Sequence, residues 1–273
     1  MGNNPLLLDS ITDASAESRG RLVVSGSHGG IYPASIASQW NIQAVLFNDA
    51  GIGLEDAGVA GVLKLANVGM AAAAVDCNTC RIGSAADAIE RGRISVVNGV
   101  AKSLGITKGM NVSEVLLRLT KAPTPTGKLP PVSEARSKIT LPASERVIHL
   151  LDSASPVTSD DIGEIVITGS HGGLIGGDRF RALKAAARIA VFNDAGVGIN
   201  GVGISRLPAL NERGIAAVTV DCWTARIGDA TSTLKTGVLS HINRTAKAQG
   251  AQRGSTLQSW LEVIPEIPAI NTF

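Results

Sequence analysis

The stretch Phe47-Asn48-Asp49-Ala50-Gly51-Ile52-Gly53 occurs a second time in the chain, as Phe192-Asn193-Asp194-Ala195-Gly196-Val197-Gly198. Other matching segments lie on both sides of it in the same order. Gly26-Ser27-His28-Gly29-Gly30 returns 143 residues later as Gly169-Ser170-His171-Gly172-Gly173, and Asp76-Cys77 returns 145 residues later as Asp221-Cys222. Repetition of this kind predicts that the chain is built from two similar units.

The repeats also define the domain organisation. Leu7-Leu8-Asp9-Ser10 returns as Leu150-Leu151-Asp152-Ser153, so the match begins near the start of each unit. We therefore predict a tandem duplication, with a first unit at 1–120 and a second unit, carrying a C-terminal tail, at 148–273. The proline-rich residues 121–147 between them are typical of an extended, semi-rigid linker. A pseudo-two-fold axis is the expected relation between the units.

Short apolar runs alternate with helical patterns inside each unit. Near-continuous apolar runs of this length are typical of strands buried on both faces of a parallel sheet. Helical spacing and good helix formers occupy the intervening segments. The pattern predicts an α/β fold, a Rossmann-like unit with a mostly parallel sheet. The strands are expected at 21–24, 43–47, 70–75, 165–167, 188–192 and 215–220, and the helices at 32–39, 57–67 and 205–213.

Composition excludes several classes of protein. Apolar residues make up 44% of the chain and charged residues 18%, which is the balance of a globular protein. A net charge of +2 and 3% aromatic residues argue against nucleic-acid binding. No uncharged run is long enough for a membrane helix, so no membrane partner is expected. Three cysteines and no signal peptide favour the cytoplasm.

Polar residues stand where the predicted strands end. In open α/β sheets, ligands bind outside the carboxyl ends of the strands. The three runs of the second unit end in His171, in Asp194 and in Asp221-Cys222. If the strand order is 2-1-3, the first run is central and touches both others. These side chains would then lie along one crevice.

The second unit is the stronger candidate for chemistry, because its loops carry more polar residues than those of the first. A thiol beside an imidazole can act as a nucleophile with His as its base. We therefore expect catalytic roles for His171, Asp194, Asp221 and Cys222. Buried Cys is also a common core residue, and Asp after a strand often caps a helix, so both structural interpretations stay open.

Glycine-rich turns and arginine provide candidate ligand contacts. An arginine in a glycine-flanked turn can bind a carboxylate or phosphate through its planar fork, although an ion pair with a nearby Asp is the alternative. The expected substrate-binding residues are Ser170, Gly172, Gly173, Thr224, Arg226 and Asp229. The equivalents of the candidate site residues in the first unit are His28, Asp49, Asp76 and Cys77, which match the four catalytic candidates, and Arg81, which matches Arg226.

Cofactor and metal signals are weak. The glycines after Asp49 and Asp194 fit the dinucleotide-binding fingerprint only in part, and the two carboxylates would crowd a phosphate, so no cofactor is expected. No familiar zinc motif occurs. A divalent ion held by Asp49 and Asp76, or by Asp194 and Asp221, stays open on ligand chemistry alone.

These features favour an intracellular enzyme that acts on a small anionic metabolite. The leading hypothesis is hydrolysis of an amide-like or cyclic C–N bond, with Cys222 as nucleophile, His171 as base and Arg226 holding the anion. The amides near Gly172 and Gly173 would stabilise an oxyanion. The alternatives are a non-catalytic ligand-binding or regulatory protein, and a lyase or isomerase that uses a His/Asp pair. A homo-oligomer is left open.

Overall fold

The computed structural model describes residues 4–141 and 146–264, and within them the chain forms two mixed, mostly parallel sheets flanked by helices. The predicted α/β class is therefore confirmed. No helix among these residues is long and apolar enough to cross a bilayer. The expected C-terminal tail beyond residue 264 lies outside the described part of the chain.

The first unit contains a five-stranded sheet with the order β1-β2-β3-β4-β5. The first four strands are parallel, and β5 is antiparallel to β4. Its strands are β1 (Leu6–Leu8), β2 (Leu22–His28), β3 (Ala44–Asn48), β4 (Ala71–Val75) and β5 (Ile94–Val97). Its helices are α1 (Ile31–Gln39), α2 (Ala60–Lys64), α3 (Ala85–Arg91), α4 (Gly99–Ser103) and α5 (Val112–Leu119).

Alternate residues of the central strands pack into two different cores. Val23 and Val45 lie in the core covered by α1 and α2, whereas Val24 and Leu46 lie in the core covered by α3, α4 and α5. A strand buried on both faces has no polar side to expose. This explains why β3 and β4 are apolar at nearly every position, as the sequence predicted.

The second unit contains a six-stranded sheet with the order β11-β10-β9-β8-β7-β6. Strands β7 to β10 are parallel, and the two edge strands are antiparallel to their neighbours. The strands are β6 (Arg136–Thr140), β7 (Val147–Leu151), β8 (Ile165–His171), β9 (Ile189–Asn193), β10 (Ala216–Val220) and β11 (Leu239–Ile242). The helices are α6 (Arg206–Glu212), α7 (Ala230–Thr236), α8 (Arg244–Ala248) and α9 (Leu257–Val263).

The strand order differs from the 2-1-3 arrangement considered from the sequence. Strand β3 lies between β2 and β4, and β9 lies between β8 and β10. The reason is that β1 and β7 occupy the other edge of β2 and β8, so successive crossovers all step in one direction. The loops after β3 and β9, which begin at Asp49 and Asp194, are therefore central.

The connecting segment between the units is more ordered than the sequence suggested. It contains β6, which pairs with β7 as the edge of the second sheet. Leu129 within it is buried, and Arg136 forms an ion pair with Asp161 at 2.8 Å. Four of the five residues of β6 are exposed, so its apolar periodicity is too weak to signal a strand.

One helix of the first unit has no helical counterpart in the second. Helix α1 follows the Gly29-Gly30 turn, whereas the Gly172-Gly173 turn is followed by two short 3-10 turns, Ile175–Gly177 and Arg179–Arg181. The chain between β8 and β9 therefore takes a different path from the chain between β2 and β3. This segment carries the basic residues Arg179, Arg181 and Lys184.

The two units meet through the backbone of their repeated loops. Gly51 and Gly196 adopt φ angles of 72° and 74°, and a Cβ atom on either would stand 2.7 Å from the Cα atom of the other. The amide of Leu54 donates to the carbonyl of Cys222 at 2.8 Å, and the amide of Ile199 donates to the carbonyl of Cys77 at 2.9 Å. Only glycine permits this approach.

Replacing Gly51 with alanine should destabilise the protein through this contact. Positive φ alone costs about 1 kcal/mol in a non-glycine residue, and forcing a methyl group into packed backbone adds to it, so we expect a loss of roughly 3 kcal/mol. Gly109→Ala is the matched control, because Gly109 has a φ of 88° and open space around it. Equal unfolding free energies for the two variants in urea would contradict the contact.

Candidate functional site

Polar residues of both units stand at the carboxyl ends of parallel strands, as expected. Strands β2 and β8 end in His28 and His171, and the loops after β3 and β9 begin with Asp49 and Asp194. The strands β4 and β10 are followed directly by Asp76-Cys77 and Asp221-Cys222. The structure separates these residues into two kinds of site.

The first kind is an Asp/Cys cluster, one in each unit. Ligand atoms of Asp194, Asp221 and Cys222 lie within 4.8 Å of one another, and so do those of Asp49, Asp76 and Cys77. Among the described residues, neither cluster includes a histidine. The structure therefore brings together three of the four predicted catalytic residues and leaves His171 elsewhere.

The central carboxylate of each cluster binds backbone. Asp194 Oδ1 accepts hydrogen bonds from the amides of Gly196 at 3.0 Å and Cys222 at 3.1 Å. Asp49 Oδ1 does the same with the amides of Gly51 and Cys77, at 3.0 and 2.9 Å. Each carboxylate thus ties the loop after one strand to the loop after the next. Through the amide of Gly51 or Gly196, each carboxylate also fixes the glycine that contacts the other unit.

The cysteine thiols in these clusters are buried beside negative charge. Burial, together with the carboxylates of Asp194 and Asp221, raises the pKa of Cys222 to about 12. Burial and the carboxylates of Asp49 and Asp76 raise the pKa of Cys77 still further. A thiol becomes a nucleophile as its thiolate, so these surroundings oppose the activated Cys222 that the sequence suggested.

The clusters have donors that suit a divalent cation. Two carboxylates and one sulfur within 4.8 Å are ligand types that metals such as Zn²⁺ accept. Asp49 and Asp194 each have one oxygen engaged with two amides, whereas Asp76 and Asp221 are only half-buried. A metal held by these carboxylates therefore stays a prediction.

The second kind of site is an inter-unit cleft of about 470 Å³. His28 and His171 both line it, and so do two pairs of serines that correspond in the repeats. Ser27 Oγ accepts the amide of Ile11 at 3.0 Å, and Ser170 Oγ accepts the amide of Ala154 at 2.8 Å. Polar and charged residues that line the inter-unit cleft include Ser10, Asp13, Ser27, His28, Tyr32, Glu134, Ser153, Ser170, His171, Arg181, Lys184 and Arg206.

Both imidazoles in the cleft are neutral and have a fixed tautomer. His28 Nδ1 accepts the amide of Gly30, and His171 Nδ1 accepts the amide of Gly173, each at 3.2 Å. Burial lowers the pKa of His28 to about 4. Burial, Arg206 and His28 lower the pKa of His171 well below its usual value. With Nδ1 acting as an acceptor, the proton is on Nε2, and each ring is a hydrogen-bond donor.

The glycine turn does not provide the expected oxyanion donors. The amide of Gly172 donates to the carbonyl of Asn193 at 2.8 Å, and the amide of Gly173 donates to His171. Thr224 is also engaged within the protein, because its hydroxyl donates to the carbonyl of Asp221 at 2.8 Å. These groups shape the strand ends.

The predicted arginines form ion pairs. Arg226 Nη2 lies 2.9 Å from Asp229, and Nη1 lies 3.1 Å from Glu55 of the other unit. Asp229 also caps α7, and Arg81 pairs with an aspartate of its own unit. This is the ion-pair alternative that the sequence left open.

Sequence reasoning missed Arg206, which is the most unusual charge in the cleft. Its side chain is 3% exposed, and it donates from Nε to the carbonyl of Gly173 at 3.0 Å and from Nη1 to the carbonyl of Ala182 at 2.6 Å. Its guanidinium lies 5.1 Å from the ring centre of Phe192. In the repeat alignment Arg206 stands at the position of Gly61, 145 residues earlier, and that difference was the available signal.

Arg206 has no acidic partner. Within residues 4–141 and 146–264, no carboxylate oxygen lies within 4 Å of its guanidinium. Burial and the neighbouring Arg181 lower the pKa of Arg206 to about 10. Among the described residues, this cation is stabilised by two backbone carbonyls and the ring of Phe192, and by no carboxylate.

No family model, curated protein or solved structure matches the chain, so its function must be inferred from its own side chains.

The thiol of Cys222 should react slowly. In a Cys77→Ser, Cys80→Ser background, we expect iodoacetamide to label Cys222 at pH 7.5 at least about tenfold more slowly than in the urea-unfolded chain, because the thiol is buried and neutral. Mass spectrometry of timed samples measures the rate. Fast labelling of the folded protein that slows in His171→Ala would instead indicate a thiolate–imidazolium pair.

The cleft histidines should make stability depend on pH. The unfolded chain protonates His28 near pH 6.5, whereas the folded protein keeps it neutral down to about pH 4. The unfolded state therefore binds more protons in this window, and the unfolding free energy should fall as pH drops from 6.5 to 4. His28→Gln should flatten this dependence in urea titrations. Nitrogen chemical shifts showing the proton on Nδ1 would contradict the tautomer.

Proposed function

We propose that the protein binds a small anionic metabolite in the inter-unit cleft, with Arg206 contacting the anionic group. The observation that carries this proposal is the buried guanidinium of Arg206, which has no carboxylate partner among the described residues. Desolvating a charge costs several kcal/mol unless a partner compensates it. Two backbone carbonyls compensate only in part, and Arg181 adds repulsion. A ligand carboxylate or phosphate would supply the missing counter-charge, and arginine suits both groups geometrically.

The histidines support the same ligand chemistry. Arg206 and His28 both act on the pKa of His171, so the three side chains are close neighbours in one cleft. A neutral imidazole with its proton on Nε2 can donate to an anion but cannot take a proton at that atom. His171 is therefore better suited to hold negative charge than to serve as a general base for Cys222.

Turnover of the bound anion is a second candidate function. Two neutral imidazole donors, His28 and His171, face one cleft, and donors of this kind stabilise charge that develops on an oxygen in a transition state. The predicted hydrolysis of an amide-like or cyclic C–N bond needs such charge stabilisation, and so does a lyase or isomerase that forms an enolate. Pure binding needs only the donors and Arg206, so it is the simpler proposal.

We also infer that the two units arose by duplication and face each other across a pseudo-two-fold axis. The reciprocal amide-to-carbonyl bonds of Leu54 and Ile199 support this relation, as does the paired placement of His28 and His171. In this arrangement the second unit provides the anion contact through Arg206, and the first unit completes the cleft.

Thermal unfolding with simple anions tests the binding proposal. Sulfate, phosphate, acetate and citrate are the probes, each as its sodium salt against sodium chloride at equal ionic strength. We expect at least one to raise the Tm of the wild type with saturation, and Arg206→Met to abolish that rise. Arg206→Lys, which keeps the charge but loses the planar fork, should bind more weakly.

Arg213→Met is the matched control. Arg213 also donates to two backbone carbonyls, those of Leu183 at 2.8 Å and Ala185 at 3.1 Å, but it lies outside the inter-unit cleft. Arg213→Met should keep the anion response that Arg206→Met loses. No anion response in the wild type, or an unchanged response in Arg206→Met, would overturn the proposal.

A further inference from the structure

The inter-unit cleft contains charges of both signs, and they come from different parts of the chain. Arg181, Lys184 and Arg206 belong to the second unit, whereas Asp13 belongs to the first and Glu134 to the connecting segment. Within the described ranges, none of these five forms an ion pair shorter than 4 Å. Opposite charges thus face one cavity without neutralising each other directly.

Glu134 has unused hydrogen-bonding capacity. Its Oε1 atom is buried and accepts no hydrogen bond within the part of the chain that the structure describes. Burial and the neighbouring Glu134 carboxylate raise the pKa of Tyr32 to about 12. A buried carboxylate oxygen without a donor is costly, and because Glu134 lines the cleft, a cation bound beside its carboxylate would offset part of that cost.

We propose that the ligand of the inter-unit cleft is a zwitterion of the amino-acid type, whose carboxylate contacts Arg206 and whose ammonium group contacts Glu134. This inference rests on the proposed function for its anionic end, and it adds the cationic end. A purely anionic ligand would leave Glu134 without a positively charged partner and would be repelled by it. An ammonium group supplies three donors and the opposite charge.

The arrangement also fixes the orientation of such a ligand. The cations of the second unit repel an ammonium group, and Asp13 and Glu134 repel a carboxylate. The reversed ligand would therefore place like charges together at both ends. Complementary charge of this kind contributes more to specificity than to affinity.

Matched ligand pairs test the inference by isothermal titration calorimetry on the full chain. The probes are glycine, β-alanine, 4-aminobutyrate, 5-aminovalerate and 2-aminobutyrate, each compared with the carboxylate that lacks its amino group. We expect at least one amino acid to bind about tenfold or more tightly than its matched carboxylate, because the ammonium group adds both hydrogen-bond donors and the opposite charge beside Glu134. 4-Hydroxybutyrate should bind more weakly than 4-aminobutyrate, since its hydroxyl donates a hydrogen bond but carries no charge.

Variants separate the two ends of the ligand. Glu134→Gln should remove the preference for the amino acid and leave carboxylate binding in place, whereas Arg206→Met should remove binding of both. Glu134→Asp, which keeps a carboxylate at this position, should retain a preference for the amino acid, so the inference can still be tested if Glu134→Gln fails to fold. Glu114→Gln, a surface change on α5, is the control for altered net charge.

The outcomes distinguish the two proposals. Equal affinities for amino acids and their matched carboxylates, with binding lost in Arg206→Met, would overturn the zwitterion and leave anion binding standing. A preference that survives in Glu134→Gln would overturn the role of Glu134. If neither class of ligand binds the wild type, both proposals fail.

Discussion

The close approach of Gly51 and Gly196 is the constraint on which the arrangement of the molecule depends. Because the two backbones touch, the carboxyl ends of both parallel sheets face each other, and the side chains at those ends converge. Larger residues would separate the loops and widen the space between His28 and His171. The carboxylates of Asp49 and Asp194 hold these loops in place through amide hydrogen bonds. Asp49 and Asp194, which the sequence suggested as catalytic candidates, thus stabilise the loops through which the two units meet.

This assignment changes how the repeated motifs are understood. The Asp/Cys clusters are repeated because each unit needs the same loop geometry at the interface. Their thiols are neutral, and the carbonyls of Cys77 and Cys222 receive the amides that join the units. Arg206 differs between the units, since the first unit has Gly61 at that position, whereas His28 and His171 are repeated. The inter-unit cleft is therefore lined by both repeated and unrepeated side chains.

The sequence predicted the α/β class and the core strands of each unit, because buried parallel strands give uninterrupted apolar runs. It did not predict the strand order, since that depends on the three-residue strand β1 and its counterpart β7 beside β2 and β8. The sequence did not predict edge strand β6, because most of its residues are exposed and polar and so form no apolar run. For the candidate site, the sequence predicted that His171, Asp194 and Cys222 stand at or directly after strand ends, as they do. Spacing along the chain could not reveal that the His171 ring binds its own turn.

Both walls of the cleft belong to one polypeptide. The two units can therefore differ in sequence, as they do where Arg206 stands at the repeat position of Gly61. Two separate copies of a single unit would have to present identical walls, and a ligand between them could lie either way round. Once the units are joined in one chain, a codon change on one side leaves the other side untouched. Covalent linkage therefore allows the cavity between two similar units to become asymmetric. Such a cavity can discriminate between the two ends of an asymmetric ligand.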